Sequence, residues 1–260
     1  MAVDVVRETR AEGGFVARIT IDRSAKLNAL DRALIAEIIE AMTALADDPA
    51  LRLAIVTGAG GRAFIGGADV TELATLDADS ARGFITAVHV CCDTFRHLPV
   101  PAIARIDGYT LGAGLELAAA CDFRIASDRS VFGMPEVRIG LPSVVEAALL
   151  PTLIGPARTR KLLLTGENIG GEEAQAWGLV DQVIPADQLD AAVETLTSSI
   201  LAAGPQAVRL QKSLILDWEE MHTSAAVDRG IDGFVEAFAT DEPHRMTSAA
   251  LAAMRARKRR

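Results

Sequence analysis

The stretch "GRAFIGGADV", Gly61 to Val70, decides how this chain is read. An apolar run, "LRLAIVTG" (Leu51–Gly58), precedes it, and an acidic, alanine-rich segment follows. Glycines at Gly58, Gly60, Gly61, Gly66 and Gly67 leave the main chain almost bare, which is useful where a backbone group must approach something closely. Gly58, Gly60 and Ala63 also satisfy the G-x-G-x-x-A dinucleotide pattern after a strand. That pattern needs a helix opening on the glycines. Gly66 and Gly67 follow at once, and each would cost roughly 1 kcal/mol inside a helix. A nicotinamide cofactor is not expected, so the bare loop needs another purpose.

Outward from this loop, strand and helix patterns alternate. "FVARITI" (Phe15–Ile21) alternates like a half-buried strand. From Asp31, the positions Leu34, Ile35, Ile38, Ile39, Met42 and Leu45 keep helical spacing until Asp47, Asp48 and Pro49 stop it. "LRLAIVTG" and "PAIARIDG" (Pro101–Gly108) read as buried strands ending at glycine, with a helical pattern over Phe84, Val88, Cys91, Phe95 and Leu98 between them. "DFRIAS" (Asp122–Ser127) and "LVDQVI" (Leu179–Ile184) read as further short strands. The alternation predicts an α/β fold. Beyond Ile184 the pattern is helical only, broken at "AAGPQAV" (Ala202–Val208). The expected organisation is a core over residues 1–200 and a C-terminal helical region over 201–260.

Composition narrows the function. Half of the 260 residues are apolar and only 4% aromatic, so the core must be built from Ala, Leu, Ile and Val. A formal charge of −9 argues against a nucleic-acid surface, which draws on a basic face. The closing "RARKRR" (Arg255–Arg260) reads as a solvated helix end, where cations complement the dipole. Cys91, Cys92 and Cys121 form no CxxC pattern, and His89, His97, His222 and His244 include no HExxH, so neither a disulfide framework nor a metal site is expected. No stretch approaches the roughly 18 apolar residues of a membrane span. "MAVDVVRETR" lacks the basic flank and apolar run of a signal peptide, making the cytoplasm the expected compartment.

Chemistry gathers in two further clusters. In "DGYTLGAGLELAAACD" (Asp107–Asp122) a strand ends near Gly108 and small residues open a buried helix. If that helix begins near Gly112, the Ala113 amide is one of the first four N–H groups without an intrahelical partner, a place for negative charge. Glu116 lies three residues on, and helical side chains lean toward the N-terminus. Its carboxyl either serves whatever that amide binds or sits on a solvent edge. In "SVFGMPEVRIGLP" (Ser130–Pro142), Glu136 stands in a mostly apolar loop; alone it would read as a surface residue.

Taken together, the clusters resemble the crotonase, or enoyl-CoA hydratase/isomerase, family over nearly the whole chain. "KLNAL" (Lys26–Leu30) looks like the family's early CoA-binding turn, "GRAFIGGADV" like its first oxyanion loop, and "DGYTLGAGLELAAACDFRIAS" like its second oxyanion strand and helix. "FGMPEVRIGLP" is similar to the loop carrying its second carboxylate, and "LLLTGENIGGEEAQAWGLVDQVIP" (Leu162–Pro185) matches its late segment. The resemblance implies a crotonase-like fold of repeated ββα units with a C-terminal helical region, assembled as a homotrimer or dimer of trimers.

It further implies that the amides of Ala68 and Ala113 hold the thioester oxygen of an acyl-CoA. Losing one such donor typically costs about 2.7–4 kcal/mol of barrier. Glu116 and Glu136 match the two glutamates of family hydratases: Glu116 would activate water at the β-carbon and Glu136 would supply the α-proton. Lys26 and Ala29 would line the CoA site near its nucleotide end, and Asp69 and Val70 would flank the pantetheine. The expected reaction is hydration of a trans-2-enoyl-CoA, with no metal or redox cofactor and coenzyme A entering as part of the substrate. Isomerase, thioester hydrolase, specialised hydratase and a silent CoA- or RNA-binding relative are the alternatives. Two departures stand out. Where family hydratases carry a glycine-rich run after Gly140, this chain has Ser143, Val144 and Val145, followed by Glu146, which reads as an N-terminal helix glutamate. "ALAAMRARKRR" also lacks the family's usual phenylalanine.

Overall fold

The structure is a computed structural model that describes residues 1–257. Arg255 and Arg257 close a helix, Glu242–Arg257, at its negative end, and the remainder of the basic stretch, Lys258 to Arg260, lies outside the described residues. Two compact units are present, Met1–Thr197 and a second that starts at Ser198.

The first unit is built on two sheets. The larger contains β1 (Val3–Thr9), β2 (Phe15–Ile21), β3 (Leu51–Gly58), β5 (Ala102–Ile106), β7 (Phe123–Ser127) and β10 (Gln182–Ile184), in that order. β1 pairs antiparallel with β2, and every later pairing is parallel. The smaller sheet has the order β4 (Ala63–Ile65), β6 (Tyr109–Leu111), β8 (Val131–Gly133) and β9 (Ile169–Gly170). β4, β6 and β8 run parallel, with β9 antiparallel at the edge.

The chain visits the sheets alternately. β3 leads into β4, β5 into β6 and β7 into β8, and each time a helix or 3₁₀ turn follows. Three ββα units therefore deliver three chain segments to the same end of the small sheet. Neighbouring strands lie about 4.8 Å apart, so whatever follows β4, β6 and β8 is held close together.

Local signals explain the elements. Helix α1 (Arg32–Ala46) starts because the Asp31 carboxylate accepts from the Leu34 amide at 2.9 Å, and it buries Leu34, Ile35, Ile38, Met42 and Leu45. A short helix, α2 (Val70–Leu73), is capped by Asp69, which accepts from the Thr71 amide. Helix α3 (Ala78–Arg96) opens with a capping box between Asp77 and Ser80 and buries Phe84, Val88, Cys91, Cys92 and Phe95 along one stripe. Each such side chain contributes roughly 1.5–3 kcal/mol by leaving water. Helix α4 (Ala113–Ala120) is buried on all sides, as its small residues and leucines require.

Two expectations are corrected here, and one strand is added to those read from the sequence. The Gly61–Val70 segment is not wholly loop: β4 runs through it and α2 begins at its end, while Gly58 to Gly61, as expected, form a strand end and a 3₁₀ turn rather than a helix start. Glu136 stands in a 3₁₀ turn, Pro135–Ile139, not in an open loop. Val3–Thr9, read only for leader character, is an edge strand whose residues are mostly partly or fully exposed. Among the described residues from Ser198 on, the regular structure is helical, with Pro205–Glu219, Thr223–Ala237 and Glu242–Arg257 as the later helices. Among the described residues no helix is long and apolar enough to cross a membrane.

Candidate active site

Ala68 lies three residues beyond β4, Ala113 two beyond β6 and Glu136 three beyond β8. The parallel order of these strands brings all three together. The Gly112 amide donates to the Gly133 carbonyl at 2.9 Å, tying the end of β6 to that of β8. Gly112 has φ +50, and a Cβ there would lie 3.9 Å from the Gly67 Cα and collide with Glu136 Oε1. The backbones before Ala68 and Ala113 and the Glu136 carboxyl thus converge where only glycine fits.

Ala113 is the first residue of α4, so its amide points out of the helix. Ala68 forms a parallel bridge with Leu30, made by the Leu30 amide to the Gly67 carbonyl (2.8 Å) and the Asp69 amide to the Leu30 carbonyl (2.7 Å). That pairing uses the groups on either side of the Ala68 amide. Among the described residues, neither the Ala68 nor the Ala113 amide meets an acceptor.

Ala68, Val70, Ala113, Glu116 and Glu136 line one cavity of about 130 Å³. Its other walls are mostly apolar, from Leu73, Phe84, Ile85 and Val88 on one side and Ile139, Leu141 and Val144 on the other. Lys26, Ala29 and Asp69 do not line it. Asp69 is buried and committed to structure: Lys26 Nζ approaches its Oδ2 at 3.0 Å and Arg23 Nη2 at 2.8 Å. These bonds and the Thr71 amide hold its carboxyl far below the usual carboxylate range, against the opposing effect of burial. Arg23 also donates to the Ala29 carbonyl at 2.8 Å, so the Lys26–Leu30 turn is fastened to the rim of the cavity.

Glu116 is only 4% exposed. Burial, then the charges of Glu136 and Glu146, push its carboxyl up to about 8, partly opposed by the backbone N–H groups of Ala147 and Val144. It is not on a solvent edge. Glu136 is half-buried and accepts a hydrogen bond from the Ser143 hydroxyl at 2.7 Å. A carboxyl that holds its proton near neutrality beside a second carboxyl suits paired acid and base work.

Several participants had no clear sequence signal. Asn28 is fully buried in the left-handed region (φ +56); its amide nitrogen donates to the carbonyls of Ala59, Ala63 and Phe64, and its oxygen accepts from the Arg23 amide. It locks the Lys26–Leu30 turn onto β4. Val145 has φ +42, a conformation that strains a β-branched residue. It lies in the segment where a glycine run was expected, so a glycine-like backbone conformation occurs here without the glycine. Glu146 does lie in the first turn of a helix, the 3₁₀ segment Val145–Leu149, but it is 5% exposed and bound to His89. Its place at a helix start is as expected, but its burial and its bond to His89 were not. Only their spacing of 57 residues in the chain hid the pair.

Repeated ββα units meeting at one apolar cleft constitute the crotonase fold. An enoyl-CoA hydratase from Bacillus anthracis superposes with a TM-score of 0.91 at 29% identity, covering 97% of each chain. A family model described as enoyl-CoA hydratase/isomerase matches residues 11–251. A crotonyl-CoA hydratase from Syntrophomonas wolfei is 37% identical over 90% of each chain, and a short-chain-enoyl-CoA hydratase from Clostridium acetobutylicum is 32% identical over 88% of each. The chain belongs to the enoyl-CoA hydratase/isomerase family.

Proposed function

We propose that this chain is an enoyl-CoA hydratase, adding water across the conjugated double bond of a trans-2-enoyl-CoA. One observation carries the reading: Glu116 and Glu136 share a single apolar cavity with the backbone at Ala68 and Ala113. The two amides receive the thioester oxygen as it gains enolate charge. Glu116 takes a proton from water as the oxygen bonds to the β-carbon, and Glu136 gives its proton to the α-carbon. Proton donor, proton acceptor and charge stabiliser are all supplied by the protein, so the step needs neither a metal nor a redox cofactor.

The working state carries one proton on the carboxyl pair. With two protons there is no base, and with none there is no acid. Turnover should follow a bell in pH whose alkaline limb lies near 8, where the pair loses its last proton, and within the one-proton state it passes through the form with the proton on Glu136. The two apparent values belong to the coupled pair.

The cavity of about 130 Å³ supports a short acyl tail, since one of about 150 Å³ accommodates a benzene ring. The names of the two relatives, for crotonyl-CoA and for short-chain enoyl-CoA, point the same way. Exposed Val227, Ile231, Phe234, Val235 and Phe238 in the second unit support a homotrimer or dimer of trimers, and free acyl-CoA as substrate fits the cytoplasm. The test is loss of enoyl ultraviolet absorbance across a series of enoyl-CoA thioesters. The shortest should turn over best, and Glu116→Gln should lower kcat by about 10²–10⁴-fold. Absence of hydration at every chain length overturns the proposal.

A further inference from the structure

A third carboxyl stands behind the pair. Glu146, 5% exposed, has Oε1 at 2.6 Å from His89 Nδ1, while its Oε2 is buried with no partner among the described residues. Burying a carboxylate with one oxygen unsatisfied costs several kcal/mol, and nothing in the packing of Val145–Leu149 requires an acid there. Its neighbours in the chain explain its place. Val144 and Ala147 turn their amides toward Glu116, so the same short segment that supports the Glu116 carboxyl carries Glu146 beside it.

The surroundings of both groups are otherwise nearly free of charge. Glu116 on α4 faces Glu136 from the Pro135–Ile139 turn, Glu146 from the Val145–Leu149 turn and the Cys92 thiol from α3. Glu146 faces His89, Cys91 and Cys92, all on α3, and Glu116 on α4. Burial above all, and then Glu146, push Cys91 up to about 12, and Cys92 is raised as well, so both thiols stay neutral. Among the described residues, the charged groups that act most on Glu116 are both acids. The half-exposed ring of His89, whose side chain is 51% accessible, stands between Glu146 and solvent.

We propose that Glu146, anchored by His89, is a positioning residue that stands behind Glu116 and strengthens it as the base toward water. Like charge behind Glu116 raises its affinity for a proton, and the His89 ring holds the Glu146 carboxyl in place from the solvent side. This rests on the hydratase reading for its use in turnover, but the protonation of Glu116 can be followed without turnover.

The experiment is an infrared pH titration of the protonated-carboxyl stretch of Glu116, identified as the band missing from Glu116→Gln. In Glu146→Gln the midpoint should fall by about one pH unit, in line with removal of one like charge, and the alkaline limb of kcat/KM should fall with it. A residue that merely fills space would lower yield or rate and leave both midpoints where they are; that result in a folded Glu146→Gln overturns the proposal. Should Glu146→Gln not fold, His89→Lys at the half-exposed site places a permanent cation against Glu146 and should move the same midpoint downward; an unmoved midpoint is again fatal. A shifted Glu116 band in a protein that hydrates no enoyl-CoA leaves this inference standing and removes the hydratase reading alone.

Discussion

Replacing Glu116 with glutamine should make the protein more stable in alkali while destroying its chemistry. The carboxyl is 4% exposed and is raised from 4.5 to about 8, first by burial and then by Glu136 and Glu146. Below 4.5 it is protonated in both folded and unfolded chains and has no pH-dependent effect. Between 4.5 and 8 the unfolded chain releases the proton while the folded chain keeps it, so stability falls as pH rises. Above 8 both forms are charged and the loss is complete. At about 1.4 kcal/mol per pH unit this amounts to roughly 5 kcal/mol, an upper figure because water reaching the site lowers the penalty. Glutamine has no such titration. Urea unfolding of both proteins at fixed concentration, in steps from pH 5 to about pH 9, should show their difference widening by several kcal/mol, mostly below 8. Parallel stability curves across that range would refute the argument, because a carboxyl that is easily charged cannot be buried as described.

Gly112→Ala should lower kcat/KM about 100-fold or more, since the new methyl group meets Glu136 Oε1 and the backbone has φ +50; steady-state kinetics on the folded variant checks it. Ser143→Ala removes the hydroxyl that donates to Glu136 Oε2, and kcat should fall about tenfold with little change in melting temperature. Asn28→Ala leaves the buried carbonyls of Ala59, Ala63 and Phe64 without their shared donor, and chemical denaturation should record a loss of about 2–4 kcal/mol.

The long elements were legible because burial imposes a period on them. Phe15–Ile21 alternates only from Ala17 on, because Val16 is buried too, α1 repeats its apolar positions between an Asp31 cap and the Asp47–Pro49 stop, and α3 keeps Phe84, Val88, Cys91 and Phe95 in register. The small sheet was not legible. Its strands have two or three residues each, too few for any period, and they exist because β3, β5 and β7 feed them side by side. The site divides in the same way. Ala113 and Glu116 followed from one helix start, and Glu136 from a motif, because each is a local feature. His89 with Glu146, and Asn28 with the carbonyls of β4, are partners chosen by the folded chain across 31 or more residues, and no spacing rule connects them. Val145 shows the limit from the other direction: a left-handed residue without glycine is invisible in the letters.

The two candidate donors belong to positions that already carry alanine. An alanine scan, the routine survey of an enzyme surface, would therefore pass over Ala68 and Ala113 and report the cleft as two glutamates and an oily wall. A side-chain exchange at these positions leaves the N–H itself in place, whereas an inserted or deleted residue between Ile65 and Ala68, or between Leu111 and Ala113, displaces a donor by a whole peptide unit. Engineering at these two donor positions should accordingly be most sensitive to segment length.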